Sequence, residues 1–108
     1  MATLKVVIIE PDDTVRITEI ENDLKSYQEV VGGYIEAVTG RVATMYVNEE
    51  GLLRHLPPNP LATLFAEAIL GRLGIVLFGT ALIVGPPDEE GMDTPVRQSV
   101  VDYYTQEN

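Results

Sequence analysis

Apolar and polar positions alternate with three different rhythms along this chain, and each rhythm predicts a different element. Val6-Val7-Ile8-Ile9 is an unbroken β-branched run, which suits a strand covered on both faces. Glu10-Pro11-Asp12-Asp13 closes it with turn residues. Val15, Ile17 and Ile20 then stand apolar among Arg16, Thr18 and Glu19, so a second, half-exposed strand returns from that turn. Asn22 or Asp23 can cap the helix that follows, in which Leu24, Tyr27 and Val31 make one apolar stripe at i, i+3 and i+7.

The rhythm changes at Tyr27-Gln28-Glu29-Val30-Val31-Gly32-Gly33-Tyr34-Ile35-Glu36, the stretch around which the chain is organised. The helix stops at Gly32, which suits the left-handed position after a helix end. Gly33 turns the chain into Tyr34-Ile35-Glu36-Ala37-Val38, and Thr39-Gly40-Arg41 turns it back into a strand from Val42 to Val47. Ile35 and Ala37 lie on one face of that hairpin, with Tyr34, Glu36 and Val38 on the other. Glu49-Glu50-Gly51 is a turn, after which Leu52-Leu53 is expected to form a short return strand or to pack under the loop.

Pro57-Pro58-Asn59-Pro60 marks a boundary, because a residue before proline leaves the helical region while proline itself suits the first helical position. Asn59 reads as the N-cap. Leu61, Leu64, Phe65, Ala68 and Ile69 follow at helical spacing, and the helix is expected to end near Gly71 to Gly74. Ile75 to Val84 reads as one long strand interrupted by Gly79, where a bulge or a close backbone approach is expected, and its two-sided burial fits a dimer. Pro86-Pro87-Asp88-Glu89-Glu90-Gly91 is an acidic surface loop, and Thr94 with Pro95 opens a last helix that docks Val96, Val100 and Tyr103 or Tyr104. The expected fold is α+β, a small, mostly antiparallel sheet of about five strands with two to three helices packed on it, as a single domain over residues 1–108.

Composition narrows the function classes. Seventeen Asp and Glu against seven Lys and Arg leave a net charge of −10, a field that repels phosphate backbones and anionic lipid. Direct nucleic-acid binding is therefore disfavoured, while an acidic mimic of DNA stays open. There is no cysteine, hence no disulfide framework, thiol nucleophile or cysteine-based zinc site. The first residues lack the pattern of a signal peptide, so a cytoplasmic site is expected. Leu61 to Val84 is apolar, yet Glu67, Gly71, Arg72 and Gly74 cut it into pieces shorter than the about 20 residues of a spanning helix, so no membrane contact is expected.

Four stretches in order, Val31-Gly32-Gly33-Tyr34-Ile35-Glu36, Val47-Asn48-Glu49-Glu50-Gly51, Leu56-Pro57-Pro58-Asn59 and Gly79-Thr80-Ala81-Leu82-Ile83-Val84-Gly85, resemble domain-of-unknown-function family 3846. The similarity spans nearly the whole chain. It implies an origin in bacteriophages and bacterial mobile elements rather than an activity. Two departures stand out: Pro60 follows Asn59 where members of the family often carry a basic residue, and residues 61–74 are more hydrophobic and helical than the family pattern. A pocket that relied on a basic group there is put in doubt.

The candidate ligand-binding residues are Gly32, Gly33, Tyr34, Arg41, Asn48, Glu49, Arg54 and Asn59. Several also have a structural explanation: a helix cap at Gly32, a turn at Gly33 and at Asn48 to Gly51, an N-cap at Asn59. His55 is the single histidine and stands near no recognisable nucleophile, and Asp88-Glu89-Glu90-Gly91 lacks the alternating oxygen ligands of a calcium loop. No dinucleotide fingerprint, phosphate loop, zinc motif or nucleophile elbow is present, so no catalytic residue, metal or cofactor is expected and an enzyme ranks below a binding protein. The first expectation is a small accessory protein that binds a host or defence protein and forms a homo-oligomer. A sponge for a nucleotide-like metabolite is the alternative, with Tyr34 stacking on a base and Arg41 and Arg54 offsetting its charge. Convergence of Arg41, Arg54 and Arg72 on one tyrosine-lined concavity would favour the sponge, and their scattering would favour the protein partner.

Overall fold

The computed structural model describes residues 2–105. Among these the elements run β1 (Thr3–Ile9), β2 (Val15–Glu21), α1 (Leu24–Val31), β3 (Ile35–Thr39), β4 (Thr44–Asn48), α2 (Pro60–Ala68), β5 (Ala81–Val84) and α3 (Gln98–Thr105). The strands make one sheet in the order β2-β1-β5-β4-β3, with every neighbouring pair antiparallel. This is the α+β architecture expected. Both hairpins are present, β1 with β2 and β3 with β4, and the last strand closes the sheet between them: Val7 pairs with Ile83 on one side of β5, and Met45 pairs with Ile83 on the other.

Helices cover both faces. Leu4, Val6, Ile8, Leu82 and Val84 pack with Tyr27 and Val31 of α1, while Val7, Ile9, Ala81 and Ile83 pack with Ala62, Phe65, Ala66, Val100 and Val101 of α2 and α3. Two-sided burial is the reason Val6 to Ile9 of β1 and the whole of β5 are unbroken apolar runs, since successive side chains must each find a core. β2 lies at the edge and is only half covered. Asp23 caps α1 by accepting from Ser26 N at 2.7 Å, and Gly32 ends it at φ +82° with its N–H on the Gln28 carbonyl.

Several local expectations are corrected. In α2 the buried face is Ala62, Phe65 and Ala66, whereas Leu64 is 55% exposed and Ala68 is exposed. The two alanines let the helix approach the sheet closely, and this turns the bulkier Leu64 outward. The helix also ends earlier, at Ala68 with Ile69 as its cap. The expected strand over 75–84 is confined to Ala81–Val84, with an isolated bridge from Pro58 to Phe78. Gly71, Gly74 and Gly79 all take positive φ, which interrupts pairing, and Leu73 and Val76 are exposed. A Cβ on Gly79 would lie 2.8 Å from Leu56 Cδ1, so it is a side chain rather than the expected backbone that comes close there. Leu52 and Leu53 neither pair nor pack under the loop; they ride exposed on consecutive turns in which Arg54 N bonds to the Glu50 carbonyl. α3 begins at Gln98 rather than at Thr94; residues 94–97 instead run along β1, where the Val96 N–H donates to the Lys5 carbonyl, and Tyr104 rather than Tyr103 meets the core. In α1, likewise, Tyr27 and Val31 are buried while Leu24 stays exposed.

Candidate functional site

The glycine hinge is built against the end of β4. A Cβ on Gly33 would lie 2.8 Å from Asn48 Nδ2 and 3.2 Å from Arg54 Nη1, so any side chain here would have to displace Asn48. Buried Asn48 donates from Nδ2 to the Val31 carbonyl at 3.3 Å and accepts from Glu50 N at 2.8 Å. The Glu49 N–H donates to the Tyr34 carbonyl at 2.8 Å, extending the β3–β4 ladder by one step. Arg54 Nη1 reaches the Gly32 carbonyl at 3.5 Å. Gly32, Gly33, Tyr34, Asn48, Glu49 and Arg54 thus share one location. The side chain of Asn48 is consumed inside it, holding the end of α1 to the end of β4. Towards solvent the cluster presents the Tyr34 ring, 65% exposed, with Glu49 and Arg54 beside it.

Asn59 and Arg41 lie apart from that cluster. Asn59 is 0% exposed. Its Nδ2 donates to the Ile9 carbonyl at 3.0 Å and the Gly79 carbonyl at 2.9 Å, and its Oδ1 accepts from Ala62 N at 3.1 Å. Both amide protons and the oxygen are engaged inside the fold, a structural role that extends its reading as a cap. Arg41 is exposed in the β3–β4 turn, and Arg72 donates to the carbonyl and Oγ1 of Thr39, both at 3.4 Å. Arg54 sits before the start of β3, while Arg41 and Arg72 lie at its end, Arg41 two residues beyond Thr39 and Arg72 bonded to Thr39. These three arginines share no concavity. His55 is an exposed loop residue at φ 56°.

Two surface features were not anticipated from sequence. One is a pair of adjoining grooves beside the start of α2. The larger, of about 400 Å³, is lined by Pro58, Asn59, Pro60, Thr63, Leu64 and Val76; the smaller, of about 160 Å³, is bordered by Glu36, Asn48, Glu49, Leu52, Val76 and Phe78. Val76 lines both, so exposed Leu52, Val76 and Leu64 form one apolar stripe. The off-phase leucine in α2 was the available signal, hidden because neighbouring positions are apolar too.

The other is a cavity of about 280 Å³ at the start of α1, lined by Asn22, Asp23, Leu24, Tyr27, Ile35, Tyr46 and residues 91–93. The rings of Tyr27 and Tyr46 lie 5.1 Å apart at 40°. Tyr27 donates its hydroxyl to Asn22 Oδ1 and Tyr46 donates to Asp93 Oδ2, each at 2.8 Å. Burial, then the nearby Asp93 carboxylate, pushes both phenols well above the ordinary tyrosine range. Asp93 is delivered by the acidic loop, which is folded on itself: Asp88 Oδ1 accepts from the N–H groups of Glu90 and Met92, and Thr94 Oγ1 pinches the neck by donating to the Pro86 carbonyl. Nothing in the order of residues brings Tyr46 and Asp93 together, so this contact had no sequence signal.

Among the described residues no group of three or more His, Cys, Asp or Glu side chains is gathered in a way that could hold a metal. No helix among them is long and apolar enough to cross a membrane. The molecule is an α+β protein with a five-stranded antiparallel sheet between helices. Residues 4–108 match the family described as domain of unknown function (DUF3846), and the chain belongs to that family. No curated protein and no solved structure matches the chain.

Proposed function

We propose that this protein is a non-enzymatic accessory protein that binds another protein through the apolar stripe of Leu52, Val76 and Leu64. The observation that carries this reading is the continuity of the two grooves through Val76, because large apolar side chains left together in water mark an interaction surface. Glu36 and Glu49 border the smaller groove, so the fitting partner presents an apolar side chain flanked by basic groups. The separation of Arg54 from Arg41 and Arg72 supports this reading over capture of an anionic metabolite. A phage-encoded protein of this kind would act in the cytoplasm of its host, on a host or defence protein. A second copy of the chain is the other occupant of the stripe, opposed by a charge of −10 on each copy.

The test compares the tagged protein with its Leu64→Ser/Val76→Ser variant in pulldowns from the host, with native mass spectrometry of each. A partner retained by the wild type and lost from the variant supports the reading; equal retention overturns it. A homodimer that the variant abolishes would assign the stripe to self-association. Release of a small molecule on denaturation, lost in Tyr34→Ala, would support the sponge instead, a reading favoured only by exposed Tyr34 beside Arg54. An acidic DNA mimic would hold a DNA-binding partner regardless of the stripe.

A further inference from the structure

The cavity at the start of α1 has a consistent chemistry. Its walls are apolar at Leu24, Ile35 and Met92, and its charged lining groups, Asp23 and Asp93, are both negative. The phenol protons of Tyr27 and Tyr46 are committed to Asn22 and Asp93, so the phenol oxygens face the cavity as acceptors. Asp23 Oδ1 serves the α1 N-terminus through Ser26 N and Asp93 Oδ2 accepts from Tyr46, so each carboxylate keeps its second oxygen for a ligand. Arg16 with Glu10 is the ion pair found among the described residues, and neither group lies at this cavity. A ligand that fits must therefore be a donor with positive charge, carried on an apolar stem.

From this we propose that the cavity lined by Leu24, Tyr27, Tyr46, Met92 and Asp93 binds an alkylammonium or alkylguanidinium group. The stem lies along Leu24, Ile35 and Met92, and the head reaches the Asp93 carboxylate and the tyrosine oxygens. At about 280 Å³ the space falls just below the roughly 300–1,000 Å³ of small-molecule sites. It suits one side chain or one small amine. The same chemistry is offered by a lysine or arginine of a protein partner and by a free amine. The site lies on the α1 face of the sheet, opposite the α2 face that carries the apolar stripe, and does not rest on the stripe being an interface.

The test is a two-dimensional amide NMR titration with n-butylguanidinium and n-butylammonium, with n-butanol as the neutral control. The expected result is saturable shifts at Asp23, Leu24, Met92 and Asp93 for the cations alone, with dissociation constants at or below the millimolar range. Asp93→Asn keeps an acceptor for Tyr46 and is expected to weaken binding roughly tenfold, a loss typical of a charge-assisted hydrogen bond. Leu24→Ser, at an exposed position, is expected to weaken it through the stem. Equal shifts from n-butanol, shifts scattered over the acidic surface, or undiminished binding in Asp93→Asn would each overturn the proposal. A capped tripeptide with a central arginine separates the sources: tighter binding than the free cation assigns the site to a partner's side chain, and equal or weaker binding assigns it to a small amine.

Discussion

Asn59 and Ile9 stand fifty residues apart in the chain and are joined by a hydrogen bond of 3.0 Å from Nδ2 to the Ile9 carbonyl. The second proton of that amide holds the Gly79 carbonyl, and Oδ1 caps α2. One buried side chain therefore ties the end of β1, the approach to β5 and the start of α2.

Asn59→Ala is expected to cost about 3 kcal/mol or more in urea denaturation followed by circular dichroism, because two buried carbonyls and a helix N–H lose their partner at once. Asn59→Asp is the sharper variant. Aspartate caps a helix as well as asparagine does, but it cannot donate to Ile9 and Gly79. A loss comparable to that of the alanine variant is expected; a near-neutral effect of Asn59→Asp would leave only the capping role.

The orientation of α2 makes opposite predictions for adjacent residues. Phe65 is 2% exposed and stacks near Tyr104, so Phe65→Ala is expected to cost about 3–5 kcal/mol. Leu64→Ser, on the outward face, is expected to change stability by no more than about 0.5 kcal/mol. Similar losses for both would mean that the helix is rotated from the orientation described.

Gly32 and Gly33 differ in the reason each is glycine. A Cβ on Gly32 meets nothing within 4 Å, and only its φ of +82° disfavours a side chain, so Gly32→Ala should cost about 1 kcal/mol. On Gly33 the Cβ collides with Asn48, and Gly33→Ala should cost about 1–3 kcal/mol. The two effects separate in a double-mutant cycle: in an Asn48→Ala background the Gly33→Ala penalty should shrink while that of Gly32→Ala persists.

Tyr27, Tyr46 and Tyr104 all hold their protons above the ordinary tyrosine range, with burial the largest cause in each; Asp93 adds to it for the first two and Tyr103 for the third. The unfolded chain releases these protons near pH ~10, while the folded chain keeps them to higher pH. Folding stability from this source is thus complete below pH ~10 and declines as the pH rises further. Urea midpoints measured from neutral pH upward should fall above that value, and less steeply in Tyr46→Phe. A midpoint that does not move through the alkaline range would contradict the placement of Tyr27 as buried and of Tyr46 and Tyr104 as half-buried.

Much of the fold was legible because its signals are local. The β-branched run at Val6 to Ile9 needs two covered faces wherever it lies, Gly32 is suited to a left-handed helix end, and Asn59 followed by Pro60 starts a helix by its own geometry. The hinge cluster was partly legible for the same reason, since Gly32 to Tyr34 and Asn48 to Glu49 flank a single hairpin. The rotation of α2 was not, because Leu61 to Ile69 is apolar on nearly every side and several helical stripes fit the spacing equally well. The early end of that helix and the irregular path of residues 71–80 depend on glycines whose φ is set by packing.

By itself, then, the sequence determined the two hairpins, the end of α1 at Gly32, the start of α2 at Asn59-Pro60, the net negative charge and the family to which the chain belongs. Tertiary structure alone decided that β5 closes the sheet between two hairpins, that Asn59 reaches back to Ile9, that Leu52, Val76 and Leu64 meet on one surface, and that Tyr46 meets Asp93 across 47 residues. Propensities and caps act within a few residues of one another and so can be read in order. Contacts between distant segments are chosen by the packing of the whole core, which no single stretch of the chain contains.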